Sequence, residues 1–300
     1  MLRFNRDSTF RIALFTDLHY GESAQKDLSS DQVSNTELPI WHAPRNCPLT
    51  LGDLLVKCQL LSFAFTLNPK RLQVQRTILA TEKPDFVVYG GDMVSGWNGR
   101  GQNGWFAEHW RQIIAPVLET QTPYAIILGN HDDEADLSRR EILMLDESMG
   151  GNLSFTQQGP LGVGGASNYY INVFSPGNGS TLVPAARLWL FDSMDVGCAG
   201  FSGSWGCVTS TAVQWANDTL ARLLPTPSLA FVHIPLPETM IAWANDTGAV
   251  GYKGELSNCP LINTGLFNVL KGSGVGSVWS GHDHDNDYVA SIESISIGYG

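Results

Sequence analysis

The order of apolar and polar segments constrains the fold of this chain more than any other feature of its sequence. Short apolar runs alternate with segments of helical periodicity. The runs are apolar throughout, as strands covered on both faces tend to be. Six strands are predicted, at Arg11–Thr16, Phe86–Tyr89, Tyr124–Leu128, Arg187–Phe191, Leu229–His233 and Gly276–Trp279. The alternation predicts an α/β fold.

Helices are predicted between these strands, where apolar residues recur on one face. The segments are Arg71–Glu82, Phe106–Leu118, a helix from a cap at Ser210 or Thr211 to Leu224, and a short helix before Gly272. Pro116 lies within the second segment. It is expected to kink or break that helix, because proline has no backbone N–H group to donate.

Five polar motifs lie at or just after strand ends, and they contain five of the seven histidines. They are Asp17-Leu18-His19, Gly91-Asp92, Gly129-Asn130-His131-Asp132, Val232-His233 and Gly281-His282-Asp283-His284. Because strand ends converge at one edge of an α/β sheet, five loops can build one site. Any single motif is more readily read as a turn carboxylate or a core histidine. Together they predict a two-metal site, since imidazole and carboxylate bind Zn, Mn and Fe, and two ions ~4 Å apart suit displacement at phosphorus.

Composition excludes some classes of function. The formal charge is −11 without a long basic run, which argues against a protein that binds the nucleic-acid backbone. No apolar stretch reaches the about 18 residues that a membrane span needs, and no apolar signal segment precedes the first strand. The sequence predicts a cytoplasmic protein without nucleic-acid or membrane partners. A secreted or vacuolar protein is the alternative, and the oligomeric state stays open.

The motif series resembles the calcineurin-like metallophosphoesterase superfamily. The segments similar to its small purple-acid-phosphatase-like branch are Phe86–Asp92, Leu128–Asp133, His233–Glu238 and Gly281–Asp287. That branch includes single-domain plant enzymes and fungal phosphatases implicated in cell-cycle and stress-response control. The resemblance runs from about Arg11 to Tyr288. It implies one domain over residues 1–300, in which two mixed β-sheets pack as a sandwich flanked by helices.

Two parts of the chain depart from this resemblance. Residues 21–69 are long for one connection and are interrupted by prolines, so we expect an irregular insertion that covers the site as a lid. After about residue 288 the sequence no longer resembles the family, and we expect an atypical or truncated C-terminus.

The resemblance also implies a ligand set for two divalent or trivalent ions, which are Fe, Mn or Zn. The first ion would be held by Asp17, His19 and His284, the second by Asn130, His233 and His282, with Asp92 bridging both. A hydroxide bridging the ions would attack phosphorus. The implied function is hydrolysis of phosphomonoesters, either phosphoproteins or small esters. The alternatives are a phosphodiesterase of the same superfamily and an inactive scaffold.

Two neighbouring residues are expected to act without binding metal. His131 would face the leaving-group oxygen as a general acid or charge stabiliser. Asp132 would fix the tautomer of His131, and a turn carboxylate or helix N-cap is its alternative role. In the loop that follows Asp92, Trp97 and Arg100 either contact substrate or belong to a glycine-rich surface loop.

One position distinguishes this chain from the coloured purple acid phosphatases. Their colour comes from a tyrosine–iron contact three residues after the bridging aspartate, where this chain has Ser95. His19 stands where the coloured enzymes have no histidine. We therefore predict a colourless metal centre with His19 as a ligand. Cys198 and Cys207 flank a Gly/Ser-rich loop and either form a disulfide or remain free thiols.

Overall fold

The computed structural model describes residues 1–22, 45–51, 54–64, 68–176, 183–245 and 248–300, and for residues 45–71 the description covers backbone only. The strands in these ranges are β1 (Leu2–Arg3), β2 (Thr9–Thr16), β3 (Arg45–Leu51), β4 (Leu54–Ala64), β5 (Phe86–Gly90), β6 (Tyr124–Ile127), β7 (Tyr169–Phe174), β8 (Pro184–Phe191), β9 (Val196–Cys198), β10 (Phe201–Trp205), β11 (Ser228–Val232), β12 (Val250–Lys253), β13 (Val275–Ser280), β14 (Asn286–Ile292) and β15 (Ile295–Tyr299). The α-helices are α1 (Asn68–Glu82), α2 (Trp105–Thr120), α3 (Arg139–Gly150), α4 (Ser210–Leu220), α5 (Thr239–Ala244) and α6 (Leu266–Leu270).

The strands form two mixed sheets and a separate hairpin. The larger sheet has the order β1-β7-β8-β11-β13-β15-β14-β12, and the smaller has the order β3-β4-β2-β5-β6. Strands β9 and β10 pair with each other only. In the smaller sheet β4, β2, β5 and β6 run parallel, whereas β3 is antiparallel to β4. The predicted pair of mixed sheets is confirmed.

Alternation along the strands explains why their sequences are apolar throughout. In β2, Ile12 and Leu14 pack into the core between the sheets, which Phe231 of β11 reaches from the other side. The next residue, Phe15, faces outward and belongs to a second core with Trp110 of α2. A third core joins the outer face of the larger sheet to α4 and α6. Burial of each such side chain contributes about 1.5–3 kcal/mol, so both sheet faces must be apolar.

The predicted strands all form, with ends that shift by a few residues. Helix α2 continues through Pro116 to Thr120, so the expected break does not occur. Tyr89 donates a hydrogen bond to the carbonyl oxygen of Ile113, three residues before the proline. This bond ties α2 to the smaller sheet. No helix in the described part of the chain combines the length and apolar character that crossing a bilayer requires.

The predicted irregular insertion is wrong for part of its range. Residues 54–64 form β4, which pairs in parallel with β2 over its whole length, and residues 45–51 form β3 beside it. A long apolar run is suited to extend an existing sheet, and this possibility was missed. The predicted lid falls largely on residues 23–44, which lie outside the described residues.

The segment after residue 288, for which the resemblance gives no expectation, is part of the larger sheet. β15 lies between β13 and β14, parallel to the first and antiparallel to the second. Gly300 donates a backbone hydrogen bond to Ser280 at the end of β13. The last strand therefore supports the loop that carries His282 and His284.

Candidate metal centre

Every candidate ligand lies just beyond the carboxyl end of a buried strand. The positions are Asp17 after β2, Asp92 after β5, Asn130 after β6, His233 after β11, and His282 and His284 after β13. The first three belong to the smaller sheet and the last three to the larger one. The site therefore lies where the strand ends of both sheets converge, as the sequence predicts.

The structure brings these side chains into two groups. Asp17, His19 and His284 form the first group, and Asp92, His233 and His282 form the second; within each, the candidate ligand atoms lie within 4.8 Å of one another. The amide oxygen of Asn130 joins the second group, 3.2 Å from Nε2 of His233. These are the ligand groups that the resemblance implies.

Asp92 lies between the two groups. Its Oδ2 is 3.2 Å from Nε2 of His233 and 3.9 Å from Nε2 of His19. A carboxylate has two oxygens and can share them between two ions. The backbone N–H of His131 donates to its other oxygen, Oδ1, at 2.8 Å. The position of Asp92 therefore suits a bridging ligand.

The donor set fits two cations. Nε2 of His19 and Nε2 of His284 are 3.0 Å apart, and two ligands of one ion at ordinary metal–nitrogen distances lie about 3.0–3.4 Å apart. Nε2 of His282 is buried without a hydrogen-bond partner in the described part of the protein. Buried polar atoms rarely remain unpaired unless they have a ligand or a functional role.

The electrostatics of the carboxylates agree with this reading. Burial raises the pKa of Asp17, but the opposing effect of His233 and His284 is larger and lowers the pKa to about 2. Burial likewise opposes ionisation of Asp92, and His233 holds its pKa far below the usual range. Burial and the nearby His233 lower the pKa of His282 to about 4. Anionic carboxylates and a neutral His282 are the protonation states that metal binding requires. Burial lowers the pKa of His233, but Asp92 and Asp17 raise it to about 10, so this imidazole must lose a proton when an ion binds.

Four of the candidate ligands lie in strained backbone. Asp17, His19, Asp92 and His282 have φ values of 54°, 46°, 51° and 75°, a conformation that costs an L-residue roughly 1–2 kcal/mol. Such strain persists where the surrounding structure imposes it, commonly at functional sites. Gly129 is needed beside them, because a Cβ at that position would lie 2.1 Å from Oδ1 of Asp92.

Two hydrogen bonds select the nitrogen that faces the ions. Nδ1 of His233 lies 2.9 Å from the carbonyl oxygen of Gly90, and Nδ1 of His19 lies 3.0 Å from Oγ of Ser95. Each bond fixes the ring and directs Nε2 into the site. Ser95, at the position of the colour-giving tyrosine, thus orients His19. The absence of colour stays a prediction.

The predicted contact between Asp132 and His131 is wrong. The Asp132 carboxylate accepts backbone N–H bonds from Asp92, Met93, Val94 and Gly129. Its side chain turns back to join two ligand loops, so the alternative role as a turn carboxylate applies. Glu134 instead lies 2.8 Å from Nδ1 of His131. The sequence shows a carboxylate three residues after the histidine, but not which of the nearby acids reaches it.

The loop after Asp92 also contacts His131. The Trp97 ring stands edge-on to the imidazole, 4.8 Å away between centroids. Arg100 donates to Glu134, which bonds to His131. Both residues that the sequence singled out in this loop therefore lie at the site, and a direct contact with substrate remains a prediction.

Arg139 is a residue that the sequence analysis missed. Its guanidinium donates to the carbonyl oxygens of Leu128 and Gly129, which immediately precede Asn130. It also pairs with the buried Asp192 at 2.6 Å and with Asp133 at 2.9 Å. These bonds hold the loop of the second group in place. An arginine in the first turn of α3 gives no sequence signal for such a role.

Comparison with known proteins agrees with this geometry. A profile of the calcineurin-like phosphoesterase family matches residues 10–286. The chain belongs to that family. A protein named "Probable inactive purple acid phosphatase 14" from Arabidopsis thaliana is 29% identical over 99% of this chain and 71% of its own length. "Phosphatase DCR2" of Saccharomyces cerevisiae is 29% identical over 76% of this chain and 40% of its own length.

A solved structure supports the fold of the family member. The crystal structure of a dimetal phosphatase from Danio rerio aligns with a TM-score of 0.51 and 17% identity, covering 77% of this chain and 76% of the other. At this identity the likeness concerns the fold alone. The resemblance to the calcineurin-like superfamily and its purple-acid-phosphatase-like branch is confirmed by these matches.

Proposed function

We propose that this protein hydrolyses phosphomonoesters, either phosphoproteins or small phosphate esters, at the two ligand groups. The observation that carries the proposal is the complete donor set, in which all seven predicted side chains converge and Asp92 lies between the groups. Two ions held there polarise the phosphate and make water a stronger nucleophile. We expect the ions to be Fe, Mn or Zn, because the donors are imidazole nitrogens and carboxylate or amide oxygens.

His131 is the residue placed to act on the leaving group. It belongs to neither ligand group, yet its ring lies 5.6 Å from the His19 ring, and 26% of its side chain is exposed. Glu134 bonds to Nδ1, so Nε2 remains available to give a proton to the leaving oxygen. The Trp97 ring packs edge-on against the His131 ring.

The main rival is a scaffold that keeps the fold without activity. The names of the Arabidopsis thaliana relatives include the word inactive, and that word describes those proteins. In this chain every donor is present, four of the seven lie in strained backbone, and hydrogen bonds orient His19 and His233. Maintaining such strain without function would be costly, which favours the active enzyme.

A pair of chromogenic esters tests the proposal. The protein is stripped with a chelator and reloaded separately with Fe, Mn or Zn. Hydrolysis of p-nitrophenyl phosphate is then compared with that of its bis-ester. We expect the monoester to react faster in at least one metal-loaded form, with no turnover in the stripped protein. Preference for the bis-ester would indicate a phosphodiesterase, and a doubly loaded protein inert to both esters would indicate a scaffold.

A separate observation supports a proposal about the compartment. Cys198 and Cys207 form a disulfide, which selects between the two states that the sequence left open. Disulfides persist in oxidising compartments, so we propose the secreted or vacuolar alternative over the cytoplasm. Fractionation of cells that express the tagged full-length protein tests this. Recovery with the cytosolic fraction in the thiol form would contradict it.

A further inference from the structure

A cavity of about 450 Å³ opens beside the metal centre. Its walls include the exposed side chains of Val196, Trp205 and Leu261. The β9–β10 hairpin contributes the first two, and the loop that follows β12 contributes the third. We call this cavity the hairpin cleft. No metal ligand lines it, so it is a separate feature of the same end of the molecule.

The walls of the hairpin cleft adjoin the loop that carries His282. The Trp205 ring stands edge-on to the His282 ring, 4.5 Å away between centroids. On the opposite wall, Asn258 donates both its backbone and its side-chain N–H groups to Asp283, the next residue after His282. A molecule whose phosphate lies on the ions can therefore extend its remaining part into the cleft.

The walls of the cleft are fixed before any ligand arrives. The disulfide between Cys198, beside the hairpin turn, and Cys207, just after β10, cross-links the hairpin. The two walls are joined directly, because the backbone N–H of Leu261 donates to Oγ of Ser204 at 2.9 Å. A preformed site spends less of its binding free energy on ordering side chains.

The chemistry of the lining selects the kind of ligand. None of the eight residues that line the cleft carries a charge, so nothing there matches the further phosphates of a nucleotide or a polyphosphorylated headgroup. Trp205 is 38% exposed and Leu261 74% exposed, which is costly for large apolar side chains unless an apolar group covers them. Aromatic rings pack well on tryptophan, edge-on or offset.

We propose that the hairpin cleft binds the apolar part of the ester, so that the preferred substrates are monophosphate esters of aryl or similarly bulky apolar alcohols. This inference rests on the proposed function, because it assigns the substrate class of the same site. Trp205 is the specificity-determining residue, and Leu261 forms the facing wall.

Two esters with similar leaving groups test the proposal, phenyl phosphate and 2-naphthyl phosphate. The second ring adds apolar surface with little change in leaving-group acidity. Its burial in the cleft should raise kcat/KM about tenfold in the native protein. In Trp205→Ala and Leu261→Ala the ratio of the two kcat/KM values should fall severalfold, while the thermal midpoint changes little.

Two control variants locate the effect. Phe201 is an exposed aromatic residue on the same hairpin that does not line the cleft, so Phe201→Ala should keep the preference. Trp97→Ala, on the far side beside His131, should lower turnover of both esters alike. If native protein shows no preference, or if only Trp97→Ala removes it, the proposal is overturned.

An equilibrium measurement separates this inference from the proposed function. Calorimetric titration of metal-loaded protein with phenylphosphonate and 2-naphthylphosphonate reports binding without hydrolysis. Tighter binding of the naphthyl compound, lost in Trp205→Ala, supports the cleft even if no ester is hydrolysed. Equal binding of the two compounds overturns it, even in an active phosphatase.

Discussion

The two ligand groups differ in depth, although each holds three or four donors. Asp17 and His19 of the first group are buried, as are Asp92, Asn130 and His233 of the second. The difference lies in the remaining histidines, because 46% of the His284 side chain is exposed, whereas His282 is only partly exposed. The first ion would therefore be more accessible to solvent than the second. Buried donors exchange with water less readily, so we expect the second ion to be held more tightly.

The hydrogen bonds that hold the ligand loops also differ. The loop of Asn130 is held from behind by the buried Arg139. The loop of His284 is held through Asp283, which accepts a hydrogen bond from Tyr299 in the last strand. The buried ion pair thus supports the second group, whereas the C-terminal strand supports the loop of His282 and His284, which supplies one ligand to each group. Four substitutions separate these dependences.

Asp92→Asn should have the largest effect, because it changes the one side chain that both groups share. We expect loss of both ions and a fall in turnover of more than about a thousandfold, beyond what loss of a single electrostatic contact costs. Metal analysis after dialysis measures the first quantity, and monoester hydrolysis measures the second. Retention of two ions would remove Asp92 from its bridging position.

His131→Ala should reduce turnover by about 10²–10⁴, the usual contribution of a general acid. Both ions should remain, because His131 belongs to neither group. The same two measurements apply, and the contrast with Asp92→Asn distinguishes a ligand from a proton donor. Equal metal loss in the two variants would contradict the assigned roles.

Arg139→Met should destabilise the protein by about 3–5 kcal/mol at neutral pH, because it leaves Asp192 buried without its partner. Burial opposes the ionisation of Asp192 in the native protein, but Arg139 lowers its pKa below the ordinary value. The pair therefore stabilises the native protein above that ordinary pKa, and the contribution is lost as pH falls through the lowered value.

In the variant the sign reverses, because burial alone raises the pKa of Asp192. The variant should gain stability as pH falls from neutral to about 5. The difference between its free energy of unfolding and that of the native protein should therefore narrow. Urea unfolding at the two pH values measures this. Arg139→Lys, which keeps the charge but not the paired donors, serves as the control. A gap that is independent of pH would mean that Asp192 does not carry the effect.

Ser95→Ala should have the smallest effect and should act on the first group alone. Loss of the hydrogen bond to Nδ1 of His19 is expected to lower the affinity for the first ion by about 10–100-fold, as for other residues that orient ligands. Competition with a chelator measures the two affinities. Ser95→Thr keeps the hydroxyl and should bind the first ion as tightly as the native protein does. A lower affinity for the second ion in Ser95→Ala would contradict the distinction between the groups.

The ligands could be predicted from the sequence because each motif is local and follows an apolar strand. His19, Asp92 and His233 needed only their strand ends to be placed. The partner of His131 could not be predicted, since Asp132 and Glu134 lie on different sides of one turn and only its backbone decides which one reaches the ring. Arg139 was missed because its role depends on packing against Asp192, which is distant in sequence.

Parts of the fold were missed for a related reason. The insertion of β15 between β13 and β14 joins segments out of chain order, and local periodicity carries no information about such pairing. The run that forms β4 is apolar, but the prolines and the length of the surrounding residues 21–69 favoured an irregular insertion. The hairpin cleft depends on a disulfide and on a contact between two loops, and the sequence left the disulfide open.

Anomalous diffraction from crystals of the metal-loaded protein tests the central claim most directly. The account predicts two peaks about 3–4 Å apart, one beside Asp17, His19 and His284, and the other beside Asn130, His233 and His282, with Asp92 touching both. A single peak, or peaks away from these side chains, would contradict it.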